Sequence, residues 1–150
     1  MLAYRLLRLV ENHSEALAAG LLEKTNKSPL LPGYRNVPPG ELEQRVYEIY
    51  RHLADWLLGK SESDVKTRYT EIGVKRARQD VPLSQLIWAI ILTKKNVCDF
   101  LKQEAVLDRP AEISAELAVE ELLNQFFDRA VYYAAAGYER ARVSQSCCAR

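Results

Sequence analysis

The stretch that most constrains this chain is Gly73 to Leu101, a helix end, a breaker and a second helix start. After Pro82, the apolar residues Leu83, Leu86, Ile87, Ile90, Ile91, Val97, Cys98 and Leu101 recur at helical spacing. Ser84, Gln85, Lys94, Lys95, Asp99 and Lys102 fall on the opposite side. Such a stripe belongs to a helix that buries one face only. Before the break, Val65, Tyr69, Ile72 and Ala77 trace a shorter stripe. Two core-facing helices therefore meet at Asp80-Val81-Pro82, which predicts an all-α bundle.

The remaining chain repeats this pattern. Helix one is expected from about Leu2 to Glu23, with Leu6, Leu9, Val10, His13, Leu17, Gly20 and Leu21 on one stripe. From Thr25 to Gly40, turn formers and prolines predict a loop. Its Leu30, Leu31 and Tyr34 are apolar enough to dock on the helices, either as a lid over a pocket or as a cover for the bundle end. Helix two starts near Pro39, which is tolerated in a first turn. Leu42, Val46, Ile49, Tyr50, Leu53, Trp56 and Leu57 give its stripe, and Gly59 ends it. Ser61 is an N-cap candidate for helix three. Asp108-Arg109-Pro110 separates helix four from a fifth helix, expected from Ala111 to Val143. At about 33 residues and 1.5 Å per residue it spans roughly 50 Å. The expectation is a single-domain, all-α bundle of about five helices over residues 1–143, with a long C-terminal helix and a disordered tail over 144–150.

Three short runs carry a family resemblance. They are Leu31-Pro32-Gly33-Tyr34-Arg35 followed by Glu41-Leu42; the spaced pattern from Gly73 to Leu86 that holds Arg76, Ala77, Pro82, Leu83 and Ser84; and Phe127-Asp128-Arg129-Ala130 followed by Gly137-Tyr138-Glu139-Arg140-Ala141. In this order they resemble the N-terminal helical domain of RsbT co-antagonist proteins of the RsbRD type. The resemblance implies a bacterial signalling or regulatory input module without catalytic residues. The family usually joins it to an output domain, and none is legible in these residues, so the downstream partner is left open.

Composition narrows the function classes. Hydrophobic residues make up 48% and charged residues 27%, with a formal net charge of +1. No global field draws such a chain to nucleic acid or to an anionic membrane. Lys75, Arg76 and Arg78 cluster near a helix C-terminus, where cations complement the dipole. No uncharged run approaches the roughly 20 residues that span a bilayer, and three cysteines make no disulfide framework. A cytoplasmic protein without membrane insertion is expected. Phosphate loops, metalloprotease helices and nucleophile elbows are missing from the sequence, so a non-enzymatic role is expected.

Two readings remain. The first is a regulatory module that senses a signal or partner and transmits it through the C-terminal helix. That helix is apolar around much of its circumference and carries the small-residue patch Ala134-Ala135-Ala136-Gly137. A homodimer is expected, with Phe127, Ala130, Val131, Ala134 and Tyr138 at its interface. The second is a small-molecule binding protein, for a lipid-like ligand or a haem, with an apolar pocket between helices. No cofactor is required. His13 is the one core-facing candidate ligand if a haem or metal is bound. Cys98 reads as a small buried hydrophobe, and Cys147 and Cys148 read as parts of an exposed tail.

Overall fold

The computed structural model describes residues 2–104 and 110–148. Among them are six α-helices, a 3-10 turn, a π-helical segment and no strand. The helices are α1 (Leu2–Asn12), α2 (Ser14–Lys27), α3 (Pro39–Arg51), α4 (Glu62–Arg78), α5 (Leu83–Glu104) and α6 (Pro110–Cys148). The 3-10 turn covers Pro32–Asn36 and the π segment Asp55–Gly59. The expected break before α6 lies partly outside the described residues, and Pro110 opens the helix, where a missing N–H costs nothing.

The expected first helix is two helices. His13 leaves helical geometry at φ −110° and ψ 18°. The break redirects the chain, so that α1 packs on α3 and α6 while α2 packs on α3 and α5. Leu7, Val10, Glu11, Ser14, Leu17, Ala18 and Leu21 face inward, a stripe turned from the expected one. Several leucines compete in this segment, and the chosen face seats the buried carboxylate of Glu11. That carboxylate accepts the Ala54 N–H at 3.2 Å and pairs with Arg8 at 3.3 Å.

The other helices follow their patterns more closely. Val46, Ile49 and Tyr50 are buried from α3, Leu53 and Trp56 from the stretch that follows it into the π segment where one continuous helix was expected, and Leu86, Ile90, Val97 and Leu101 from α5. Ser61 accepts the Asp64 N–H, while the Asp64 carboxylate accepts the Ser61 N–H, a reciprocal cap of α4. At the other end of α4, Asp80 adopts φ 56°. There the Val81 N–H reaches the Arg76 carbonyl at 3.1 Å and the Asp80 N–H reaches Ala77 at 3.2 Å, a Schellman ending. The core centres on Tyr50, Leu53, Leu123, Phe126 and Phe127. A satellite cluster of Leu31, Tyr34, Val37 and Val81 docks the 25–40 region; Leu30 stays exposed.

The pairing of α4 with α6 dominates the bundle. A Cβ on Gly73 would overlap the carbonyl of Ala134, and one on Gly137 would overlap the carbonyl of Thr70. Helix backbones approach this closely only where a side chain is missing. Beyond this seam, Tyr138 donates a hydrogen bond of 2.6 Å to the Val81 carbonyl, tying α6 to the α4–α5 turn. Helix α6 continues through 144–148, past the last buried position, Ala141.

Candidate functional site

Glu41 sits in the first turn of α3, where its charge complements the positive helix end. Three cations converge on it. Lys75 Nζ and Arg76 Nη1 each lie 3.0 Å from Glu41 Oε1, and Arg45 Nε lies 3.9 Å from the same atom. Gln79 joins through its amide nitrogen at 3.4 Å from Oε2, and its oxygen accepts from Arg76 Nη1 at 2.8 Å. One carboxylate thus gathers three positive charges, with Glu48 also attracting Arg45. Burial pushes the pKa of Glu41 up, but hydrogen bonds from Lys75 and Arg76 and their charges outweigh it, and the net shift is downward.

Arg76 is the unusual member. It is 2% exposed, and its Nε has no hydrogen-bond partner. Arg68, one ion pair further along the α3–α4 seam with Glu48 at 2.6 Å, also has an unpartnered Nε. A buried guanidinium with an unmet N–H is costly. The Arg76 guanidinium lies 5.8 Å from the centroid of the Tyr34 ring. Burial raises the Tyr34 pKa against the pull of that guanidinium. Burial, with the charges of Arg68 and Arg76, lowers that of Arg45.

These groups border a cavity of about 60 Å³ between α3, α4, α5 and α6. Tyr34, Arg45, Ile49, Arg76, Ile90 and Phe127 line it. Its walls are apolar except around the two arginines, Tyr34, Tyr69 and Thr93. Ligand pockets for drug-sized molecules run to about 300–1,000 Å³, so in this conformation the space takes neither a haem nor a lipid chain. Tyr34 forms one side of it from the 3-10 turn, so the 25–40 region is both a bundle cover and a wall of this partly open space. Gly33 is held there by its N–H to Gln85 Oε1 at 2.6 Å.

A family model described as the RsbT co-antagonist protein rsbRD N-terminal domain matches residues 30–146. The chain belongs to this family. The RsbRD N-terminal domains are signalling and regulatory domains, and the fold here is the all-α bundle expected for one. Comparison with curated proteins and with solved structures gives no match. In this RsbRD N-terminal domain the runs that carry the resemblance converge in space. Tyr34, Leu42, Arg76, Leu86 and Phe127 line the same cavity, Glu41 holds its arginines, and Gly73 and Gly137 form the α4–α6 seam.

The residues singled out in the sequence fall elsewhere. His13 is exposed and does not face the core. Its Nδ1 is 2.9 Å from the Leu9 carbonyl, its ring packs on Phe100 at 5.2 Å, and its surroundings are a solvent-open depression with Glu11, Glu15, Tyr47 and Arg51. Phe127, Ala130, Ala134 and Tyr138 are buried in the chain's own core, and Val131 is half-buried. The small-residue patch admits another helix, but that helix is α4 of the same chain. Cys98 is half-buried, and burial raises its thiol pKa, the opposite of an activated nucleophile. No described helix is long and apolar enough to cross a membrane. Missed by the sequence reading was Arg76 as a cavity residue. The signal was there: it falls seven residues after Tyr69, on the inward stripe.

Proposed function

We propose that this domain is a non-enzymatic input module, in which a change at the Glu41–Arg76 cluster is passed along α6 to a partner signalling protein or output segment. One observation carries the reading. Helix α4 bears Arg76 at its C-terminal end and meets α6 backbone to backbone at Gly73 and Gly137, so little slack separates the cluster from α6. Family membership supports the regulatory part.

Hydrogen exchange of Glu41→Gln against the parent protein tests it. Exchange should change along α6 from Phe127 to Tyr138, beyond the uniform rise that any loss of global stability produces at Leu101. A change confined to the ends of α3 and α4 overturns the reading.

On the same reading two copies pair through the outer face of α6. Ile113, Leu117, Tyr132 and Val143 are exposed there, by 46%, 61%, 69% and 64%. Their spacing follows a helical face opposite the buried one. Native mass spectrometry reporting a monomer, or a dimer that survives Leu117→Lys with Tyr132→Lys, removes this part of the proposal.

A further inference from the structure

We propose that the cavity between α3, α4, α5 and α6 binds a short-chain monocarboxylate, with the carboxylate at Arg45 and Arg76 and the alkyl group among Ile49, Ile90 and Phe127. The purpose of such a site rests on the input-module reading; the site itself rests on three observations.

The first is charge. Arg45, Lys75 and Arg76 converge on the carboxylate of Glu41, with Arg45 only at 3.9 Å; Glu48 also attracts Arg45 but is itself paired with Arg68, so cations outnumber carboxylates here. Arg45 and Arg76 line the cavity, whereas Lys75 does not. A second carboxylate would reduce the excess positive charge and offer the planar acceptor that a guanidinium recognises.

The second is an unmet donor. Arg76 is nearly fully buried, lines the cavity and carries an Nε without a partner, so its guanidinium has donor capacity left beside this space. The Tyr34 side chain stands beside it as a neutral polar wall.

The third is size. A space of about 60 Å³ holds on the order of four to six non-hydrogen atoms, at 10–15 Å³ for each water-sized probe. That matches acetate to butyrate; the further carbons of a longer acid would lie outside this space. Apart from its polar edge, the wall is apolar, so a purely polar anion such as phosphate gains nothing from it.

The test is a titration of the full chain with sodium formate, acetate, butyrate and octanoate at constant ionic strength, followed by amide chemical shifts. Saturable shifts at Tyr34, Ile90 and Thr93 are expected. Affinity should tighten by about fourfold per methylene from acetate to butyrate, and that gain should not continue to octanoate. Arg45→Gln, a partly exposed residue whose loss the fold tolerates better than that of Arg76, should weaken butyrate at least tenfold. Lys75→Gln, which removes the same charge from outside the cavity, should cost less than threefold. The proposal is overturned by unsaturable or absent shifts, by chloride or inorganic phosphate matching butyrate, or by Lys75→Gln and Arg45→Gln weakening binding equally. Hydrogen exchange separates the two readings. Butyrate binding without any change along α6 keeps the site and overturns the input module. A response of α6 to Glu41→Gln with no butyrate binding does the reverse.

Discussion

Gly73 stands against the carbonyl of Ala134 so closely that one added carbon would meet that oxygen and the amide nitrogen of Tyr138. Gly137 repeats the arrangement against Thr70. Alanine favours a helix over glycine by about 1 kcal/mol, yet here overlap with backbone dominates, because backbone cannot swing aside. Gly73→Ala and Gly137→Ala should each lower stability by about 1–3 kcal/mol in urea unfolding. Gly20, in α2, has nothing within 4 Å of an added Cβ, and Gly20→Ala should raise stability by about 0.5–1 kcal/mol. Parent-like stability for Gly73→Ala would mean that α4 and α6 can slide.

The Glu41 cluster sets a pH dependence of definite sign. The folded pKa of Glu41 lies below its ordinary value of 4.5. Its ionised form therefore contributes stability that is complete above the unfolded pKa and is lost as the pH falls through the folded one. Glu41→Gln should destabilise the domain at neutral pH. The gap between parent and variant should shrink steadily below about pH 5. Urea midpoints between pH 7 and 3 decide the matter, and a gap that stays constant with pH removes the ion cluster as its cause.

A buried amide holds three helices together. Asn96 Nδ2 donates to the Leu17 carbonyl at 3.1 Å and to the Tyr50 hydroxyl at 3.3 Å, while its oxygen accepts from Lys24 at 2.6 Å. Tyr50 in turn donates to the Thr93 carbonyl at 2.8 Å. Asn96→Ala leaves several polar groups unpaired and should cost about 1–3 kcal/mol. Tyr50→Phe should cost about 0.5–1.5 kcal/mol. The double variant should cost less than the sum, since the two residues share a bond; strict additivity in a thermal or urea cycle would argue that the network is not cooperative.

Asp80 closes α4 in a left-handed conformation that glycine adopts more readily. Its carboxylate makes one long, exposed contact with Arg142 at 3.7 Å, a pair worth little. Asp80→Gly should therefore be neutral or stabilising by up to about 1 kcal/mol. A clear loss of stability would show that the Arg142 contact matters more than the backbone.

Much of the helical layout was readable from local chemistry. Pro39 and Ser61 mark helix starts because a missing donor and a hydroxyl acceptor act within one turn. The stripes of α3 and α5 show because a one-sided core leaves polar residues nowhere else to go. The break at His13 was hidden, since apolar residues continue at helical spacing across it, and what bends the chain there is packing on α6 and then α5. Direction was hidden too: the pattern of α6 told that Phe127, Ala130 and Ala134 are covered, but not whether a second chain or α4 covers them. The cluster was least legible. Glu41 and Arg76 are 35 residues apart, and although helical spacing puts Arg76 on the inward stripe of α4, only folding brings Glu41 to it.

Helix α6 is held along most of its length. Its buried positions run from Ala115 to Ala141, roughly 39 Å at 1.5 Å per residue, and the turns from 144 to 148 extend beyond them. The seam at Ala134 and Gly137 lies toward the C-terminal end of that span. A rod clamped over such a length has no pivot. It shifts or turns as one piece, and any such displacement would carry the overhanging turns with it undiminished.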